Sequence, residues 1–537
     1  MESKNNISNL VEFIHQGVKN KPHNIAYENL GTTLTYDEFY HKARHIGAYF
    51  SKIGVKPGDR VAIMLPNVLQ QPIVTLAALM QGATIVNVNP LYTPRELTHQ
   101  INDSGAQHII ILENMALTLE KSLPNIALKN IIVSQIGDCF PQPKRLLINA
   151  VIKYIKRMVP PYQLPKVLWL KDSFETPIGQ WQEHNSKVED IAFLQYTGGT
   201  TGVSKGAMLT HGNLLANIHQ AETVMPKDLY KEPSTILTAL PLYHIFALTV
   251  SLITLGNGGC NLLVTNPRDI PKLIDLLKKR PVQGIPILNT LMNALLQHPE
   301  FKNIDFSSLR ATISGGMATL TSTAKKWHQV TGCVVQQGYG LSETSPVVAL
   351  TKHTKEFAPN VGKPVPNTDI IIVDESGEKV EEGAIGELCV KGPQVMQGYW
   401  NREDETKKSF TKDGYFKTGD IAKILKNGSI KLIDRKKDII IVSGFNVYPS
   451  EIEDILSLHE EIVEAGVIGV KDKDGNEHIK AFIVPTQPKL DLDSIDEHCH
   501  NYLTGYKVPK DIEMVNALPK TNIGKVLRRV LREQPNS

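Results

Sequence analysis

The stretch Tyr196–Gly206, read YTGGTTGVSKG, constrains this chain more than any other. Its eleven residues hold four glycines, three threonines, a serine and a lysine. An apolar run, Ile191–Leu194, precedes it, and apolar residues at helical spacing, Leu214–Ile218, follow. Strand, glycine loop and further structure make a layout suited to cradling phosphate. Glycines let backbone N–H groups turn toward an anion, hydroxyls add donors, and a lysine adds charge. The stretch is not a Walker A loop, because Lys205 follows Ser204 and precedes Gly206 instead of standing in G-K-[ST]. The plainer alternative is a surface loop that only looks nucleotide-like.

The surroundings predict a parallel sheet. Arg60–Leu65, Ala83–Val88 and His108–Leu112 read as strands, with helical spacing over Gln70–Gln81. Thr93-Pro94-Arg95-Glu96 has the pattern of a capping box with proline at the first helical position, so a helix should begin there and end near Gly105. Strands alternating with helices imply doubly wound α/β architecture. Ser234–Leu240, Asn261–Val264, Asp305–Gly316 and Gly332–Gln336 continue the alternation. From Val361 to about residue 433, short β-rich pieces between Gly, Pro and Asp turns predict a β subdomain. Beyond Asp434-Arg435-Lys436-Lys437-Asp438 the pattern becomes a compact α+β unit, with a second capping box expected at Ser450-x-x-Glu453. The expected division is 1–433, with the β subdomain at 361–433, and 434–537. A chain of 537 residues has room for roughly three to four domain-sized units.

Composition excludes several classes. A net charge of +3, with no dense basic run interleaved with aromatics, argues against nucleic acid. The five cysteines are scattered without paired spacing, which fits a reducing compartment. His498-Cys499-His500 resembles a metal motif, but three adjacent residues cannot all face one ion, and a solvated helix is the better reading. The polar Met1–Pro22 segment and the lack of any run of 18 apolar residues predict a cytoplasmic protein whose only membrane contact is peripheral. The segment 141–161 offers two readings: a basic amphipathic helix at the inner, anionic membrane face, or a helix docked on its own protein with a solvated basic face.

The remaining motifs carry chemistry only together. Pro241–Phe246 (PLYHIF) sets His244 among apolar residues. Ser314-Gly315-Gly316-Met317 would let a flat base approach the backbone. Gly338–Thr344 (GYGLSET) puts Tyr339 beside Glu343, an aromatic to stack and a carboxylate for Mg²⁺. Phe416–Asp420 (FKTGD) ends in an acid suited to ribose hydroxyls. Pro519–Lys525 (PKTNIGK) ends in a lysine.

In this order, from about Leu34 to Arg532, the motifs resemble those of the adenylate-forming superfamily. The segments Ile433–Asp438, Val442–Glu453 and Leu503–Lys510 bring the resemblance closer to bacterial long-chain fatty-acid–CoA ligases. That resemblance implies activation of a carboxylate by ATP and Mg²⁺, followed by transfer to coenzyme A, in the service of fatty-acid uptake and β-oxidation. It implies that Thr197, Gly198, Gly199, Thr200, Thr201, Gly202, Ser204 and Lys205 hold phosphates, and that Thr200 and Glu343 hold Mg²⁺. Tyr339 with Gly315 and Gly316 would frame adenine, with Gly340, Ser342 and Thr344 completing the nucleotide site. Asp420 and Arg435 would take the ribose. Lys525 would bridge carboxylate and α-phosphate, and His244 joins it, Glu343 and Thr200 in the catalytic set. Lys437 would be the hinge of a mobile C-terminal domain, and Gly444 would approach pantetheine. The acyl tunnel is expected from Tyr243–Leu248 and Gly284–Leu291; Leu248 stands where some relatives carry a gating tryptophan. The resemblance leaves open a homodimer, a medium-chain substrate and an enzyme that loads a carrier protein. A non-catalytic nucleotide-binding adaptor would not need Lys525.

Overall fold

The computed structural model describes residues 7–197, 204–231, 233–442, 445–472, 477–487, 490–521 and 526–533. Among these, two large sheets dominate. The first runs Val167–Trp169, Asn130–Ser134, His108–Leu112, Arg60–Met64, Thr84–Asn87, Ile191–Thr197, Lys205–Thr210 in spatial order. It is parallel up to its last pair, where Ile191–Thr197 and Lys205–Thr210 run antiparallel. The second holds nine strands; its parallel centre includes Val335–Gly340, Ala311–Ser314, Gly284–Ile287, Thr235–Thr238 and Cys260–Leu263. This is the expected doubly wound arrangement.

Both faces of each sheet are buried, and the side chains alternate accordingly. Val61 and Ile63 face the core shared by the two sheets, whereas Ala62 and Met64 face a separate outer core. Ile236 and Leu237 divide in the same way on the second sheet. Two helices fill the shared core, Gln70–Met80 and Ile245–Gly256. Every residue of the first is buried, as a helix apolar all round requires.

Local chemistry sets the helix starts where the sequence placed them. Thr93 accepts from the Glu96 N–H at 3.4 Å, Glu96 accepts from the Thr93 N–H at 2.8 Å, and the helix Pro94–Ser104 closes at Gly105 with φ +66°. The second expected box does not form. The helix Pro449–Leu456 starts two residues earlier than a Ser450 cap would set it, on a proline whose fixed φ and missing N–H suit the first position. Ser450 is thus already inside the helix, its N–H on the Asp434 carboxylate at 2.7 Å, and Glu453 binds Arg528 at 2.8 Å.

An antiparallel sheet of Asp369–Val373, Gly386–Lys391, Phe416–Ile424 and Ile430–Arg435 forms the β-rich part. From Ile440 onward the chain builds its own core around Ile462–Lys471 and Glu477–Pro485, with Ile452, Ile495 and Cys499 packed on it. Cys499 is therefore a core residue, while His498 donates its Nε2–H to the Ile455 carbonyl at 2.9 Å. No group of three His, Cys, Asp or Glu placed to hold a metal occurs among the described residues. No described helix is long and apolar enough to cross a membrane.

The segment 141–161 forms the helix Lys144–Ala150 and a wider turn, Val151–Ile155. Ile148 and Ile152 pack on the main core. Lys144 donates to the Leu30 carbonyl at 2.6 Å, and Lys153 pairs with the buried Glu113 at 2.8 Å. The segment is thus docked on its own protein, with Lys156 and Arg157 exposed as expected, but Lys144 and Lys153 are tied inward, and Leu146, Leu147, Tyr154 and Ile155 are exposed.

Candidate active site

In doubly wound sheets, ligands sit beyond the carboxyl ends of the parallel strands. A cavity of about 1630 Å³ opens there. Its wall takes Thr197 from one sheet and Gly315, Gly316, Gly338 and Tyr339 from the other. Thr418, Gly419, Arg435 and Lys437 from the β-rich part, and Lys520, Thr521 and Arg528 from near the C-terminus, complete it.

The residues expected at the nucleotide are joined by a buried polar chain. Tyr339 donates its hydroxyl to Asp420 at 2.6 Å, and Arg435 pairs with the other Asp420 oxygen at 2.8 Å. The Asp420–Arg435 pairing follows from register, since the two residues are direct partners across adjacent strands. Burial, and then the Asp420 charge, push the Tyr339 phenol well above its usual range, so it stays a donor. Asp420→Asn would leave the Arg435 guanidinium without its counter-charge and weaken the hold on Tyr339. The expected result is a rise in the KM for ATP of about tenfold, the size of one lost charged hydrogen bond, with a lowered Tm; steady-state kinetics at saturating acid and thiol check it.

Glu343 lies on the turn Ser342–Thr344, buried, and its carboxylate accepts from the Tyr399 hydroxyl at 2.8 Å. Burial raises its pKa, partly offset by the Tyr399 bond. A desolvated carboxylate at a cavity wall is stabilised by a cation, and Mg²⁺ characteristically uses one or two carboxylates plus substrate phosphates. The site therefore fits the metal. Gly340 permits this turn, because a methyl group there would overlap the Pro346 carbonyl. Thr344 plays a different part from the one expected: fully buried, it donates to the Pro346 carbonyl at 2.5 Å and accepts from the Leu341 N–H at 3.0 Å. It shapes the turn and does not face the cavity.

His244 caps the helix Ile245–Gly256, its Nδ1 accepting from the Phe246 N–H at 3.4 Å. That leaves the proton of the neutral ring on Nε2. Burial lowers its pKa to about 4. A ring that is neutral at pH 7 suits an N–H donor in the cavity wall better than a proton-shuttling acid.

Ser204 lines the cavity, and Lys205 opens the strand Lys205–Thr210 beside it. Lys205 thus stands on a β-hairpin, unlike a P-loop lysine at a helix start. Gly198, Gly199, Thr200, Thr201, Gly202, Gly444 and Lys525 lie outside the described residues.

The apolar lining departs from expectation in one half. Tyr243, His244, Ile245 and Phe246 contribute as expected, but Gly284–Leu291 does not. Ile285 and Ile287 belong to the outer core of the second sheet, and Leu288 to the shared core. Instead Ala221 and Met225, and Val250 and Ile253 one turn apart on their helix, supply apolar wall. Leu248 is buried in the shared core and does not line the cavity.

Sequence reasoning missed three residues. Tyr399 holds Glu343; Glu387 holds Lys436 at 2.8 Å and accepts from the Gly419 N–H at 3.1 Å; Arg528 binds Glu453 and Asp438. The only signal for Tyr399 was its place in Gly398-Tyr399-Trp400, an aromatic pair behind a glycine.

Residues 14–400 match the family model of the AMP-binding enzyme, and residues 451–525 match that of the AMP-binding enzyme C-terminal domain. The chain is 45% identical to the long-chain-fatty-acid–CoA ligase of Salmonella typhimurium over 529 residues, covering 98% of this chain and 94% of the relative. It is likewise 45% identical to the enzyme of that name from Haemophilus influenzae over 537 residues, with the same coverage. The crystal structure of ATP-bound MatB from Rhodopseudomonas palustris superposes with a TM-score of 0.81 at 28% identity, covering 98% of this chain and 99% of the other. With a matching model over most of its length and relatives this similar across nearly the whole chain, the protein belongs to the AMP-binding enzyme family.

Proposed function

We propose that the protein is an AMP-forming long-chain fatty acid–CoA ligase. The observation that carries this reading is one cavity with two kinds of wall: a charged nucleotide end and an apolar part between the helices His211–Val224 and Ile245–Gly256. Each methylene buried against such a wall contributes about 0.8 kcal/mol, so a long tail outcompetes acetate by a wide margin. The name shared by the Salmonella and Haemophilus relatives supports the same substrate.

A fatty carboxylate oxygen bonds to the α-phosphorus of ATP, the bridge to the β-phosphate breaks, and pyrophosphate leaves. The thiol of coenzyme A then bonds to the acyl carbon, the mixed anhydride opens, AMP leaves, and the thiol proton passes to solvent. Such chemistry asks the protein for position and charge more than for covalent help. Tyr339, Asp420 and Arg435 fix the nucleoside, Glu343 with Thr200 would hold Mg²⁺, and Lys205 would meet the outer phosphates. The metal, when bound, offsets the charge gathering on the departing pyrophosphate.

The test is AMP release with acids from acetate to oleate, with and without coenzyme A. Oleate-class acids should dominate and turnover should require the thiol. Preference for acetate, or turnover indifferent to coenzyme A, would overturn the reading in favour of a short-chain ligase or a carrier-loading enzyme.

A second observation supports peripheral membrane contact. Leu146 and Leu147 are 64% and 65% exposed, and Tyr154 and Ile155 are 72% and 75% exposed, beside exposed Lys156 and Arg157. Exposed apolar residues flanked by cations match an anionic lipid surface. Leu147→Glu with Ile155→Glu should abolish flotation with phosphatidylglycerol vesicles and leave turnover of soluble octanoate unchanged; undiminished flotation would remove the segment from any membrane role.

A further inference from the structure

Lys205 has a partner that the phosphate-binding reading leaves unexplained. Its ammonium forms an ion pair with Glu405, on the short helix Glu403–Lys408. The placement is built in. The Trp400 N–H donates to the Gly206 carbonyl at 2.8 Å, and the Met208 N–H to the Gly398 carbonyl at 2.9 Å, so the segment before this helix lies alongside the lysine's own strand. The Tyr399 N–H donates to Thr406 Oγ1 at 2.9 Å, which ties the helix back onto that segment. Arg402 then anchors the helix to Asp103 at 2.6 Å, with its Nε 3.8 Å from Glu405. The Lys205 ammonium also sits 5.2 Å from the centre of the Tyr399 ring, whose hydroxyl holds Glu343. Thr197, Ser204 and Tyr399, all adjacent to Lys205, line the cavity, while the ammonium itself turns to Glu405.

We infer that Glu405 is an internal counter-anion for Lys205 that competes with the outer phosphates of ATP and with pyrophosphate. A lysine that binds a product must also release it. A carboxylate fixed on the neighbouring helix supplies the alternative partner as pyrophosphate departs, and must be displaced when ATP arrives. The Lys205 bond holds the Glu405 pKa below its ordinary value, so the competitor is charged throughout the neutral range. Both groups are about one-third exposed, which keeps the pair weak enough to exchange. This inference rests on Lys205 as a phosphate ligand, and the experiment separates the two.

The probe is inorganic pyrophosphate as product inhibitor against ATP, at fixed ionic strength. Glu405→Gln should lower its inhibition constant about two- to fivefold, the range of a partly exposed ion pair, and lower the KM for ATP in the same sense. Glu403→Gln, an exposed acid on the same helix, should leave both unchanged. In a Lys205→Met background, Glu405→Gln should have no effect. An unchanged inhibition constant in Glu405→Gln, an equal effect from Glu403→Gln, or an effect that survives Lys205→Met would each overturn the competition. If Lys205→Met itself leaves pyrophosphate inhibition unaltered, the phosphate assignment of Lys205 fails first.

Discussion

Lys525→Ala is expected to lose acyl-adenylate formation by about 10²–10³-fold or more, the loss seen when one donor to developing charge is removed. The assignment comes from the resemblance of PKTNIGK to the family's C-terminal motif, and the match to the AMP-binding enzyme C-terminal domain extends to residue 525. Among the described residues on either side, Thr521 and Val526 both line the cavity. Each flank is also anchored. Lys520 is ion-paired with Glu464, and Arg528 reaches Glu453 at 2.8 Å and Asp438 at 3.2 Å. On the proposed role, the Lys525 ammonium would meet the carboxylate and the α-phosphate while both are negative, where positioned charge has its largest effect. Fatty-acid-dependent exchange of pyrophosphate into ATP reads this step alone. Conversion of preformed acyl-adenylate and coenzyme A to thioester should be nearly retained. Exchange at close to the unmodified rate would refute the role, and equal loss of both steps would point to a misfolded C-terminal unit.

The parts of this site that the sequence made legible are those decided by neighbours in the chain. Thr93, Pro94, Glu96 and Gly105 define a helix among themselves, and the structure places it there. The parts that were illegible depend on distant partners. Ser450-x-x-Glu453 has the letters of a capping box, but Asp434 and Arg528 take the two residues that would have formed it. Tyr339 reads as a flat ring for a base, yet its hydroxyl is fixed by Asp420, 81 positions away. The 141–161 helix shows basic residues at exposed spacing, but Glu113 and the Leu30 carbonyl draw two of them inward and leave leucines outside. The tunnel lining failed for the same reason: an apolar run such as Gly284–Leu291 does not announce which face of a sheet its side chains will join. Glu405 carried no signal, since an acid in a charged helix is ordinarily solvated.

The second large effect belongs to the turn Lys436–Asp438. Lysine cannot stand at the α-phosphate and leave room there for a thiol, so the C-terminal unit is proposed to rotate about Lys437 between the two half-reactions. The ion pairs around this turn divide accordingly. Asp438 holds Arg528 at 3.2 Å and Arg532 at 3.1 Å, contacts made within the part that would move. Burial alone would raise the Asp438 pKa, but these two guanidinium groups hold it below its ordinary value, so the grip persists at neutral pH. On the other side of the turn, Asp434 accepts from the Ser450 N–H at 2.7 Å and lies 3.6 Å from Arg528; both contacts cross the hinge and would break on rotation. Lys437→Pro fixes one backbone torsion near −65° and should trap the arrangement that makes acyl-adenylate. Pyrophosphate exchange is then expected within about threefold of normal, while thioester formation falls by about 10–10²-fold, as for a misplaced reacting group. Lys437→Ala separates torsion from side chain. It removes the ammonium that burial has already pushed to a lower pKa, leaves the backbone free, and should spare both steps. Single-turnover measurement of each half-reaction decides the matter: a proline variant that loses both steps equally, or an alanine variant that matches it, would show that residue 437 acts by charge or packing and that the turn is not the hinge.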